Sequence, residues 1–144
     1  MIEEDTIKLL QECDAGIKMG AASIDDVLER VQDKTFRRYL GDCRDEHNKL
    51  KEEIQSLLEK YCDEGKEPNP MAKGMAWMKT NVKLAMDASD ETIADLMTDG
   101  CNMGVKSLNK YLNQYKAADE KAKDIVKRLI HLEENLAADI RCFL

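Results

Sequence analysis

The chain has 144 residues, of which 35% are charged and 5% aromatic, with two prolines, seven glycines and a formal net charge of −7. A chain of that length can bury one full core, and its composition belongs to long amphipathic helices rather than to a β-sandwich. The acidic balance leaves no basic stripe clear of neighbouring acids, which excludes phosphate-backbone recognition and hence nucleic acid as a partner.

In chain order, Leu10, Cys13, Ile17, Gly20, Ile24, Val27 and Val31 recur at alternating spacings of three and four and mark the buried face of a first helix, predicted from Glu3 to Gln32. Asp33 is placed to cap a second helix, whose face reads Phe36, Leu40, Cys43, His47, Leu50, Ile54, Leu57 and Tyr61 and whose end is predicted near Gly65. The stretch from Lys66 to Pro70 is the clear linker. Asn69 as cap and Pro70 at the first helical position then open a Met-rich segment through Met86, carrying Met71, Met75 and Met78. Its less regular apolar face marks it as a partly helical crossover, with an adaptable strip suited to capping the core or docking a second subunit.

Ser89 is the cap of a further helix with Ala94, Cys101, Val105, Leu108, Leu112 and Tyr115 on its stripe, interrupted by Thr98. Beyond a boundary at Asp119, the last helix carries Ala122, Val126, Leu129, Glu133, Leu136, Ile140 and Phe143 to the end of the chain. The expected organisation is one domain over residues 1–144, with a hairpin at 3–65, a crossover at 66–88 and a second hairpin at 89–144. The links within each hairpin are short, whereas the roughly 25 residues between hairpins are enough to travel the length of a bundle.

The two hairpins repeat one another. Cys13-Asp14-Ala15-Gly16-Ile17-Lys18 returns as Cys101-Asn102-Met103-Gly104-Val105-Lys106, an offset of 88 residues, while the second and fourth helices align at an offset of 86 and make His47 and Glu133 equivalents. Each is a lone polar residue on an apolar stripe near the middle of its helix. Burying either costs on the order of 1–3 kcal/mol without a partner, so each is expected to be the other's partner. Arg44, one turn before His47, is a further candidate partner for Glu133. Gly16, Gly20 and Gly104 interrupt helices at a cost of about 1 kcal/mol each, which close helix approach would explain.

The five cysteines include no CxxC pair, and reduced thiols in the cytoplasm are the expected state. Cys13, Cys43 and Cys101 fall on core positions, whereas Cys62 and Cys142 fall near helix ends, where exposure would permit thiol redox sensing. The start, Met1-Ile2-Glu3-Glu4-Asp5, lacks the positive segment of an export signal, and the apolar runs are too short to cross a bilayer. His131, two residues from Glu133, points away from it and is expected on the surface. No phosphate loop, hydrolase triad or His-Glu-x-x-His is present.

On its repeated Cys-x-x-Gly segments, hairpin order and crossover, the chain resembles the ferritin-like superfamily, and within it the small rubrerythrin-related domains of unknown function. The resemblance implies an all-α ferritin-like four-helix bundle with a long crossover between the second and third helices. Metal-binding members use one Glu from each of the first and third helices and a Glu-x-x-His from each of the others. Carried onto this chain, those ligands fall on Ile17 and Val105, on Arg44 and His47, and on Ile130 and Glu133. Only His47 and Glu133 retain a donor. The expectation is therefore a degenerate site with no catalytic residue and no cofactor, in a non-enzymatic binding or assembly module that associates as a homodimer. The alternative is a metal-binding protein or di-iron-type oxidoreductase in which His47 and Glu133, with Cys43 as a third ligand, hold iron or zinc.

Overall fold

A computed structural model describes residues 2–68 and 89–144, which form helices and no strands: α1 (Ile2–Leu28), α2 (Lys34–Glu59), α3 (Asp90–Gln114), α4 (Glu120–Asp139) and a short 3₁₀ turn at Arg141–Phe143. The predicted cap at Asn69, Pro70 and the methionines at 71, 75, 78 and 86 lie outside the described residues.

The three predicted caps are made. Asp33, Ser89 and Asp119 each adopt extended backbone and accept from the amide three residues on, in Phe36, Thr92 and Ala122. Each thereby satisfies one amide that has no partner within its own helix. Helix ends depart from prediction by four to six residues. α1 stops at Leu28 rather than Gln32, because the chain turns there to drop Val31 fully into the core while Asp90 accepts from the amides of Gln32 and Asp33 at 2.8 Å each. α2 stops at Glu59 rather than near Gly65, closed by the Asp63 amide donating to the Leu58 carbonyl. That moves the buried face onto Leu58 and leaves Tyr61 beyond the helix. α4 gives way to the 3₁₀ turn, which stacks Phe143 on Phe36 at 4.7 Å between ring centroids.

The same contacts fix the helix directions. Asp90, at the start of α3, sits on the α1–α2 turn, and the α3–α4 turn sits on the start of α1 through Ala117 N to Asp5 (3.0 Å) and Asp119 N to Thr6 (2.8 Å). α3 therefore runs antiparallel to α1. α1 packs against α2 and α3, α4 packs against α2 and α3, and α1 and α4 touch across the middle. The chain between α2 and α3 thus joins opposite ends of the bundle, as the length of the link predicts.

The core divides into two layers. One holds Leu9, Leu10, Cys13 and Ile17 with Leu50, Ile54, Leu58, Leu108, Val126 and Leu129. The other holds Ile24, Val27, Phe36, Leu40 and Cys43 with Ile93, Met97, Cys101, Leu136 and Ile140. Each fully buried Leu, Ile or Phe contributes roughly 1.5–3 kcal/mol, so both layers are strong. Between Ile17 and Ile24, Cys43 and Leu50, and Ile130 and Leu136, the apolar stripes pause together. The polar residues sit at that boundary.

Candidate functional site

His47 and Glu133 meet at that boundary as each other's partners. Nε2 of His47 lies 2.9 Å from Oε1 of Glu133, with the imidazole 1% exposed and the carboxylate side chain 12% exposed. On the far edge of the ring, Nδ1 lies 2.8 Å from the Cys43 carbonyl oxygen, with Cys43 Sγ at 3.5 Å. The carbonyl can only accept, so Nδ1 carries a proton; a carboxylate facing Nε2 then requires a second one. The consistent state is an imidazolium bonded to a carboxylate.

Electrostatics agree with that proton count. Burial alone would lower the His47 pKa, but the hydrogen bonds at Cys43 and Glu133 and the charge of Glu133 outweigh it and push it up to about 10. Because the folded value lies above the ordinary 6.5, the pair's contribution to stability is complete below about pH 6.5 and is lost as pH rises through about 10. Urea midpoints measured between pH 6 and 10.5 are expected to fall more steeply in the wild type than in His47→Leu. Parallel curves would remove the pair as the cause.

Gly20 makes room for this arrangement. A Cβ placed there would stand 2.8 Å from His47 Nε2 and 3.5 Å from Glu133 Oε1. Gly104 faces Glu133 at ordinary contact distance, and Gly16, exposed on α1, meets nothing within 4 Å. Close approach thus accounts for Gly20 and not for Gly16. The sequence repeat aligns Gly16 with Gly104, but in space Gly20 and Gly104 flank the pair, one helical turn out of step with the motif.

Other candidates are dispersed. Arg44 does not reach Glu133; it turns outward to Asp25 at 3.2 Å and Asp45 at 3.6 Å, because position 44 lies off the stripe that points inward. His131 is exposed, as expected. Cys13, Cys43 and Cys101 are buried free thiols, and Cys62 and Cys142 are exposed. Burial pushes Cys13 and Cys101 far above the usual thiol range, with the Glu133 carboxylate adding to the effect at Cys101, so both are inert as nucleophiles. That proximity of Cys101 to Glu133 was not foreseen from sequence, although the Cys101 segment is the repeated one. Thr98 keeps its hydroxyl buried without a partner among the described residues.

The residues present do not fit a two-metal centre. Ile17 and Ile130 are buried aliphatics, Val105 is half-buried, and Arg44 is occupied at the surface. Among the described residues no group of three or more His, Cys, Asp or Glu converges to hold an ion. Cys43 approaches the Nδ1 edge of His47 while Glu133 approaches the Nε2 edge, so the two stand on opposite sides of the ring. A surface groove of about 370 Å³ between α3 and α4, lined by Asn102, Val105, Glu133, Glu134 and Arg141 among others, gives Glu133 its contact with solvent. A second groove of about 410 Å³, between α2 and α4, is crossed by the two-pronged Arg128–Glu53 bridge at 3.1 and 2.9 Å and contains neither His nor Cys.

Among the described residues no helix is long and apolar enough to cross a membrane. Comparison with protein-family models, curated proteins and solved structures found no match.

Proposed function

We propose that this chain is a ferritin-like bundle with a degenerate metal site, in which the buried His47–Glu133 pair fixes helix register and the protein acts as a non-enzymatic, homodimeric binding or assembly module in the cytoplasm. The observation carrying this reading is that both His47 nitrogens are committed, one to the Cys43 carbonyl and one to Glu133, which leaves neither ring nitrogen free for a metal. The placement of the long link between opposite bundle ends supports the ferritin-like connectivity. A polar pair at a single level of an apolar core also has a physical use, since slipping α2 or α4 by a turn would bury an uncompensated charge.

Metal analysis of purified protein by plasma mass spectrometry, after anaerobic ferrous iron and desalting, is expected to find less than about one tenth of an equivalent. Light scattering is expected to show a dimer. One or two retained equivalents would overturn the degenerate-site reading, and a monomer at every concentration would overturn the assembly reading.

One observation favours a second reading, in which His47 and Glu133 hold a single iron or zinc ion. The α3–α4 groove reaches Glu133, giving an ion a route to the pair. Binding would have to displace the Nε2 proton, so metal uptake would rise with pH and vanish in His47→Ala. Unchanged metal content in that variant would eliminate it.

A further inference from the structure

Past α2 the chain turns back on itself. Cys62 takes a left-handed conformation, φ 55°, and the residues after it return along α1. Asp63 accepts from Gln11 Nε2 at 2.8 Å, the Lys66 amide donates to Asp14 Oδ2 at 3.1 Å, and the Lys66 ammonium pairs with Glu12. Lys18 lies 2.8 Å from Asp14 and 3.0 Å from Glu67.

Asp14 is the centre of this cluster. It is fully buried, and Oδ1 has no partner among the described residues, so its compensation rests on what reaches Oδ2. One such group is the Lys66 amide; the other is Lys18, itself held by Glu67. A buried carboxylate is tolerated only while such partners stay in place. Gly65 lets the segment come this close: its φ of 91° suits glycine, and a Cβ there would collide with the Asp14 carboxylate. The α1–α2 hairpin, by contrast, is held by apolar contacts among Leu9, Leu10, Cys13, Leu50, Ile54 and Leu58. Two different kinds of interaction therefore hold the hairpin and the segment that follows it.

We infer that residues 63–67 are a polar latch, caught on Asp14 and Lys18, which opens and closes as a unit while the bundle stays folded. Residues 63–67 carry no apolar side chain of their own, the neighbouring Pro68 being the buried apolar residue at their end, and elements held mainly by polar contacts open at lower free energy than the core. When closed, the latch sets the point from which the chain departs for the opposite end of the bundle; when open, it uncovers a carboxylate otherwise removed from water.

Amide hydrogen exchange followed by NMR at one fixed pH tests this, using Lys66 as reporter of the latch and Ile54 and Leu129 as reporters of the core. The wild type is expected to exchange faster at Lys66 than at Ile54 or Leu129. Asp14→Ala and Lys18→Met are each expected to raise the Lys66 rate at least tenfold with core rates unchanged. Lys18→Met keeps the buried carboxylate and serves where Asp14→Ala fails to fold. An unchanged Lys66 rate in the variants would overturn Asp14 and Lys18 as the catch, and equal acceleration of Lys66 and the core would overturn the latch as a separate unit.

Discussion

Replacing His47 with Leu is expected to lower the free energy of unfolding by about 2–4 kcal/mol, because Glu133 is then left as a mostly buried carboxylate without its counter-charge. Glu133→Leu is expected to cost about 1–3 kcal/mol, because His47, 1% exposed, then sheds its Nε2 proton and is left with a buried nitrogen that has lost its partner. The double variant should recover most of either loss, to within about 1 kcal/mol of wild type, since replacing both partners of a buried ion pair by apolar groups is often neutral. Urea unfolding of the four proteins gives the coupling directly. Additive losses in the double variant would mean that the two residues act independently, contrary to their 2.9 Å contact. A neutral His47→Leu would remove the account of the pair as a structural knot.

A comparable effect is expected from a single methyl group. In Gly20→Ala the added Cβ would stand 2.8 Å from His47 Nε2, and the imidazole cannot step aside without losing the Cys43 carbonyl or Glu133. Alanine gains about 1 kcal/mol of helix propensity over glycine, while overpacking a closed site costs roughly 1–3 kcal/mol before the loss of the ion pair is added. The net expectation is a loss of about 2 kcal/mol, accompanied by displacement of the His47 ring resonances in NMR. Gly16→Ala, on the same helix one turn earlier, meets nothing within 4 Å and should instead gain about 0.5–1 kcal/mol. Equal responses at the two glycines would mean that propensity, and not the space beside His47, governs both.

The helices and their faces were legible in the sequence because a repeating apolar spacing can bury its residues in only one way. Ile17, Ile24, Leu40, Ile54, Val126 and Leu136 are all buried where their spacing places them. The pairing of His47 with Glu133 was legible for the same reason, since two lone polar residues at equivalent positions of repeated hairpins have each other as the cheapest partners. What failed was local. Arg44 follows the surface because it lies next to Cys43 at the outer edge of the buried stripe, and Asp25 is there to receive it. Asp14, one residue along from Cys13 and four before Lys18, carries no local sign of its burial; it is sealed by a segment distant in sequence.

The sequence by itself determined that the described chain is helical, where its caps fall and which residues face inward, since these depend on spacing and on short-range hydrogen bonds. The tertiary structure decided the rest: which glycine matters, where Arg44 goes and that both nitrogens of His47 are spoken for. Each of those outcomes depends on an atom brought in from another helix or turn, and no local pattern encodes its distance.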